Sequence, residues 1–459
     1  MSVRQLLDRF EPPAPEFIRS LRTPQVDAAA RSESRGADAL VDFSSNDYLG
    51  LRESTTLQDA FKQALAEGYG GAGASPLVTG WQGPHARLAA TISHTLGTEA
   101  SLLFSSGYVA NLSLLGCLFR RGDRVLVDRE VHASIIDGLK FAGVRIVRYR
   151  HNDVDHARRL LGGAQPCVAL VTDGLFSMSG DLAPMAALSA LCDETATPLI
   201  VDDAHGIGVL GPDGRGVLGL AGIPHGRLAA FTGTFGKAFG LAGAFVSGES
   251  RLIQHLVQRA RGFTYSTGMP TLQARALESI WPQVMGGGAP SCKADLATID
   301  TGLNPGSSTG ADGTVGRDAR ARLNRNIDQW RWLCAGAGIP VPMCPGPIQP
   351  LVIGSADAAV TLADKAREAG LLLTAFRPPT VPPDTSRIRI ALSAAHSEAD
   401  LSRLVEFLRT SLADYAVDRA GPSLKEPPGE GPERIRSQRI LASNTPLDTI
   451  DRAPGPVDA

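Results

Sequence analysis

Cysteine is sparse and unpatterned in this 459-residue chain: six residues, Cys117, Cys167, Cys192, Cys292, Cys334 and Cys344, with no C-x-x-C pair and no neighbouring histidine pattern. That usage argues against a zinc site or a disulfide framework and points to free thiols in a reducing compartment. No metal is expected. A strong charge of either sign is also missing, since the formal net charge is −2. No overall field therefore attracts nucleic acid or an anionic membrane surface, and a small-molecule function fits better. No apolar run reaches the ~18 residues that a membrane span requires. Residues Met1 to Phe10 lack the apolar core of a signal peptide, and Pro456 to Ala459 match no retention or peroxisomal address. The cytoplasm is the expected compartment.

What is present is an alternation of short apolar runs and amphipathic stretches. Ser101–Phe104, Arg124–Val127, Val168–Thr172, Pro198–Val201 and Ala229–Thr232 read as buried strands. Leu88–Leu96, Ser134–Phe141, Val154–Leu161 and Met185–Glu194 read as the helices between them. Such alternation implies an α/β fold with a mostly parallel sheet covered on both faces. After Pro270 the pattern changes to a smaller α+β domain, with strand-like Pro350–Ile353, Leu371–Ala375 and Arg387–Leu392 and helical Ala358–Ala369 and Glu398–Asp414. The expected organisation is an N-terminal segment over 1–50, a large domain over 51–275, a small domain over 276–415 with a flexible insertion at 286–316, and a disordered tail over 416–459. The insertion is rich in Gly, Ser and Asp, and the tail in Pro, Arg and Glu without an apolar period.

Chemistry concentrates just after the strands, where open α/β sheets bind ligands. Val201-Asp202-Asp203-Ala204-His205-Gly206 is followed by Gly233-Thr234-Phe235-Gly236-Lys237. A lysine amine can form a Schiff base with the aldehyde of pyridoxal 5'-phosphate (PLP). A carboxylate facing the pyridine nitrogen keeps that nitrogen protonated, so the ring accepts electrons from a carbanion. Lys237 and Asp202 suit those two jobs.

Further segments join them: Ser44 to Leu51 (SSNDYLGL), Gly71 to Ser75 (GAGAS), Ser106 to Asn111 (SGYVAN), Asp128 to Ser134 (DREVHAS), Asp173 to Asp181 (DGLFSMSGD) and Tyr265-Ser266-Thr267. Together, in collinear order from about Phe43 to Leu412, they resemble the α-oxoamine synthase family. The resemblance implies PLP fold type I and a homodimer with shared active sites. It also implies roles. Lys237 matches the Schiff-base lysine and proton carrier, Asp202 the pyridinium partner, and His205 the residue on the cofactor's phenolic oxygen. His132 matches the ring that stacks on the cofactor and assists at the thioester carbonyl. Gly107 and Tyr108 match the phosphate-binding segment, and Ser177 and Thr234 hydroxyls near the ring oxygen and phosphate. Ser266 and Thr267 match residues that reach the partner subunit's phosphate. Asp203 is read as supporting backbone or facing solvent. Arg389 and Asn46 match the grip on the amino acid carboxylate, although alternation puts Arg387 on the same strand face and leaves the two arginines interchangeable by spacing.

The block Phe376-Arg377-Pro378-Pro379-Thr380-Val381-Pro382 looks like the branch that condenses L-alanine with a pimeloyl thioester, carried on coenzyme A or acyl carrier protein. An additional cation is reasonable there, because the pimeloyl group ends in a carboxylate that Arg377, beside Thr380, can grip. The expected activity is decarboxylative condensation of the two substrates.

Overall fold

The computed structural model describes residues 40–286 and 313–412. The expected tail and nearly all of the expected insertion lie outside the described residues, as do residues 1–39 and Cys292. A short strand β1 (Val41–Asp42) precedes the main sheet, whose strands are β2 (Ala100–Phe104), β3 (Arg124–Asp128), β4 (Arg145–Tyr149), β5 (Ala169–Asp173), β6 (Leu199–Asp202), β7 (Ala230–Thr234) and β8 (Ala244–Gly248). Their order is β2-β8-β7-β6-β5-β3-β4. β3 to β7 pair in parallel, and β8 runs antiparallel to both its neighbours. The central strands read ALVTD, LIVD and AFTGT and are buried along their whole length, as a sheet covered on both faces requires.

All five strands expected for this sheet are present, with ends shifted by a residue or two. β4 and β8 were not expected. β4 reads RIVRY, is mostly part-exposed at the sheet edge and carries two arginines that mask its apolar run. β8 is a five-residue run directly after the lysine loop.

A second sheet comprises β9 (Ile348–Gly354), β11 (Thr374–Phe376) and β12 (Ser386–Ala391) in the antiparallel order β11-β12-β9, while β10 (Leu371–Leu372) pairs in parallel with β1. The run read as one strand over Leu371–Ala375 is therefore two strands in two sheets. Leu373 stays buried between them.

The core behind the lysine loop is aromatic. Phe231, Phe235, Phe239, Phe245 and Trp281 are fully buried, and Phe239 stacks on Trp281 with centroids 5.0 Å apart and planes 3° from parallel. Phe235 and Phe239 flank Lys237 two residues away on either side, so the lysine loop is anchored through its neighbours. Gly233 belongs to the same packing: a Cβ there would lie 2.4 Å from the Phe245 ring. Truncating such a phenylalanine costs about 3–5 kcal/mol.

Candidate active site

β5 and β6 end side by side, with Asp173 in register with Asp202. Both carboxyls are buried. Burial first, and then the neighbouring Asp202, hold Asp173 well above the usual carboxylate range. Lys237 follows the next strand, β7. Burial depresses its amine to about 8, against the opposing pull of Asp202 and Asp173 and with Arg389 adding to the depression. Asp203 is bonded elsewhere. It is fully buried, accepts from Val217 N at 2.6 Å and is pushed up to about 8 by burial. Gly206 lies against it so closely that a Cβ would stand 2.2 Å from Asp203 Oδ1. Of the two readings of Asp203, backbone support is the one observed.

Asp202 is held by its own loop and by a helix. Its Oδ1 accepts from Ala204 N at 3.0 Å, and its Oδ2 from Asn111 Nδ2 at 2.5 Å. The same Asn111 nitrogen donates to Ser134 Oγ at 2.9 Å. Ser134 Oγ lies 2.8 Å from His132 Nδ1, which caps the helix Ala133–Ala142 by accepting from Ser134 N at 3.3 Å. His132 N in turn donates to Asp173 Oδ1 at 3.3 Å. Burial pushes the His132 imidazole down, with Asp202 opposing and Lys237 reinforcing.

A second chain of contacts comes from β12 and the segment after β1. Arg389 Nη2 donates to Asn46 Oδ1 at 2.7 Å, Tyr48 Oη donates to the same oxygen at 3.1 Å, and Tyr48 Oη lies 2.7 Å from His205 Nδ1. Burial forces the His205 imidazole well below its usual range, and Lys237 and Arg389 act in the same direction. Arg389 Nη1 donates to Ser177 O at 3.3 Å, and Arg387 Nη1 to Met178 O at 3.2 Å. Both arginines thus reach the loop after β5. Among the described residues Arg389, and not Arg387, bonds Asn46 and acts electrostatically on Lys237, Tyr48 and His205, so the two arginines differ in what they reach although they share a strand face.

That loop is pinned from below. His151 Nδ1 bonds Asp128 Oδ1 at 2.9 Å and its Nε2 bonds Asp181 Oδ2 at 2.8 Å, while its ring stands edge-on to Phe176 at 4.4 Å.

The remaining expected residues divide. Gly107 opens the helix Gly107–Leu118 beside Thr234, whose Cβ would be 3.9 Å from a Cβ at that glycine. Thr234 Oγ1 is already engaged, donating to Gly243 O at 2.8 Å and accepting from Gly236 N at 3.1 Å, so it shapes the lysine loop. Tyr108 is 45% exposed and its hydroxyl donates to Asp137 at 2.7 Å. Ser177 meets the arginine through its carbonyl. Ser266 and Thr267 lie in a surface loop tied to the GAGAS segment by Gly268 N to Ala74 O at 3.1 Å, with Tyr265, Leu77 and Val78 strongly exposed nearby. Arg377 and Thr380 share a turn after β11, closed by Thr380 N to Arg377 O at 3.0 Å.

Tyr48, Asn111, Ser134 and Asp173 were not singled out from the sequence. Each lies inside a segment that was, yet its importance arises from a contact across strands that local text does not encode.

The donor set suits PLP. The Lys237 amine has no hydrogen bond or ion pair among the described residues, its carbonyl alone accepting from Gly240 N at 3.0 Å, and burial depresses it, as suits an aldehyde-capturing lysine. Asp202 and His132 interact with it electrostatically, and the helix Gly107–Leu118 begins beside Thr234 of the same loop. Arg389 Nε is a buried donor without a partner among the described residues.

Comparison with known proteins places these features in a family. The model of aminotransferase class I and II matches residues 38–280 and 308–408. The chain is 39% identical over 394 residues to the 8-amino-7-oxononanoate synthase of Hahella chejuensis, covering 86% of this chain and 92% of that one. It is similar in structure to the 8-amino-7-oxononanoate synthase of Francisella tularensis, at 26% identity and a TM-score of 0.65 over 82% of this chain and 98% of that one. A serine palmitoyltransferase variant from S. paucimobilis with bound PLP, 24% identical with a TM-score of 0.70 over 82% of this chain and 87% of that one, shares the fold.

Proposed function

From a chain that belongs to the class I and II aminotransferase family, and within it to the 8-amino-7-oxononanoate synthases, we infer a PLP-dependent acyltransferase of biotin biosynthesis that condenses L-alanine with a pimeloyl thioester, releasing CO2 and the thiol carrier. The observation that carries this reading is the meeting of a carboxylate grip, Arg389 with Asn46 at 2.7 Å, with the lysine–aspartate–histidine cluster at the ends of β5, β6 and β7.

When bound, PLP supplies an electron sink that stabilises negative charge at the amino acid α-carbon. Lys237 would hold its aldehyde, Asp202 its pyridine nitrogen, His205 its phenolic oxygen, and His132 its ring face. Gly107, Tyr108, Ser177 and Thr234 would help to hold its phosphate and ring oxygen. Arg389 and Asn46 hold the alanine carboxylate, which fixes the direction of the Cα–H bond. The Lys237 amine, neutral above about pH 8, removes the Cα proton and later returns one. His132 assists at the thioester carbonyl oxygen. Arg377, with Thr380, receives the terminal carboxylate of the pimeloyl group.

Ser266 and Thr267, on an exposed loop bordered by Leu77 and Val78, are read as reaching the site of a second copy, which makes the protein a homodimer. Residues 51–275 are read as the cofactor-binding domain and 276–415 as the smaller domain. Among the described residues no helix is long and apolar enough to cross a membrane; the cytoplasm is proposed from the composition.

The test is thiol release by the PLP-loaded protein given L-alanine and pimeloyl on coenzyme A or acyl carrier protein, beside glycine with acetyl or succinyl donors. Alanine-dependent release from pimeloyl is expected. Release with glycine alone would move the protein to a sister activity.

A further inference from the structure

One side-chain amide bridges Asp202 and the serine that lies against His132. Asn111 Nδ2 lies 2.5 Å from Asp202 Oδ2 and 2.9 Å from Ser134 Oγ. A carboxylate oxygen and a hydroxyl are both available as acceptors, so the NH2 group spends one hydrogen on each. Ser134 Oγ, accepting from Asn111, has its own hydrogen free for the next atom within reach, His132 Nδ1 at 2.8 Å. The backbone N–H of Ser134, which is a donor in every state, also points at that nitrogen, at 3.3 Å. A ring nitrogen facing two donors has to offer its lone pair, and a neutral imidazole with an unprotonated Nδ1 carries its proton on Nε2.

We propose that Asn111 and Ser134 are positioning residues that hold His132 as the neutral Nε2–H tautomer, so that His132 meets the thioester carbonyl oxygen as a hydrogen-bond donor. This rests on the functional reading above, in which His132 faces that oxygen. The ring then stabilises negative charge as it develops on the oxygen, in the manner of an oxyanion-hole donor, and transfers no proton during acyl transfer. Protonating Nδ1 would break the helix cap and set that proton against the Ser134 backbone N–H. The depressed basicity of the buried ring agrees with this arrangement. The chain ends on Asp202, so one set of hydrogen bonds orients both the carboxylate and the imidazole. Ser134, Asn111 and Asp202 are all buried, which shields the set from competition by water.

The test is long-range proton–nitrogen NMR on full-length protein labelled with 15N-histidine, at neutral pH, with and without PLP, the His132 signals being assigned by their loss in His132→Phe. A single Nε2–H tautomer in the wild type, giving way to a tautomer mixture in Ser134→Ala, is the expected result. In that variant kcat should fall about five- to tenfold, the effect of one lost hydrogen bond, with the KM for alanine little changed. An Nδ1–H tautomer or an imidazolium in the wild type overturns the proposal, and no variant is needed to observe it. If that occurs while His132→Phe is inactive, the functional reading survives without this inference. If His132→Phe retains wild-type turnover, the donor role fails along with the assignment of His132 to the carbonyl, whichever tautomer is found.

Discussion

Arg389 Nη2 donates to Asn46 Oδ1 at 2.7 Å, although 343 positions separate the two residues in the chain. Asn46 follows β1, Arg389 lies in β12, and β1 is tied to the C-terminal part of the chain by β10. The first described strand and one of the last therefore build one grip. Removing a buried charged partner costs about 2–5 kcal/mol, so Arg389→Ala is expected to raise the KM for alanine roughly 30-fold or more. Arg387→Ala, which among the described residues loses the bonds to Thr385 O and Met178 O and an interaction with Glu130, should leave it within a few-fold. Equal effects in steady-state kinetics would reverse the assignment of the two arginines.

Lys237 should govern cofactor capture as well as turnover. Only the neutral amine attacks an aldehyde, and burial sets its pKa at about 8. The rate at which apoprotein takes up PLP covalently, read by borohydride trapping and mass spectrometry, should rise between pH 7 and 9 and level off above. Lys237→Ala should show no trapped adduct and at least about a thousandfold loss of turnover, of the order seen when a covalent catalyst is removed. A trapped adduct on another lysine would refute the assignment.

The two adjacent carboxyls offer a sharper contrast. Burial first, and then Asp202, hold the Asp173 carboxyl well above the usual carboxylate range, so an amide of the same shape is expected to change little there. Asp173→Asn should keep turnover within about threefold, because its bond from His132 N can still be accepted. If Asp202 pairs with the pyridine nitrogen as proposed, Asp202→Asn removes that charge and should cost on the order of 100-fold in kcat. Similar losses in both variants would show that the proton belongs to the pair rather than to Asp173.

Much of this was legible in the sequence for physical reasons. Strands buried on both faces are written as unbroken apolar runs, so β3, β5, β6 and β7 stood out, and residues at their carboxyl ends were natural site candidates. β4 was hidden because an edge strand tolerates Arg145 and Arg148. The pairing of Asp173 with Asp202 was hidden because it depends on strand order, which no local pattern records. The same holds for Tyr48 and His205, joined at 2.7 Å across 157 positions. The choice between Arg387 and Arg389 needed the position of Asn46.

Substrate choice should depend on Arg377. If it binds the far carboxylate of the pimeloyl chain, Arg377→Ala should raise the KM for the pimeloyl thioester about tenfold or more, since charge-assisted contacts are the strong ones. An acyl thioester of the same length without that carboxylate should be used equally well by variant and wild type. Unchanged kinetics with the pimeloyl donor would remove Arg377 from the specificity argument.

His151 ties the fold's stability to pH. Burial opposes protonation of its ring, but hydrogen bonds to Asp128 and Asp181 override burial and lift the pKa to about 10. A group whose folded pKa lies above its unfolded value of 6.5 stabilises fully below pH 6.5, and that contribution is lost as pH rises towards 10. The clamp holds the loop whose carbonyls accept from Arg387 and Arg389, so loosening it should weaken alanine binding as well. His151→Leu leaves the fully buried Asp128 without its cation and should cost about 3 kcal/mol. Denaturant unfolding of wild type and variant between pH 6 and 10 decides the matter: the gap between them should narrow as pH rises. A gap that is constant over the range would mean the ring acts through packing against Phe176 alone.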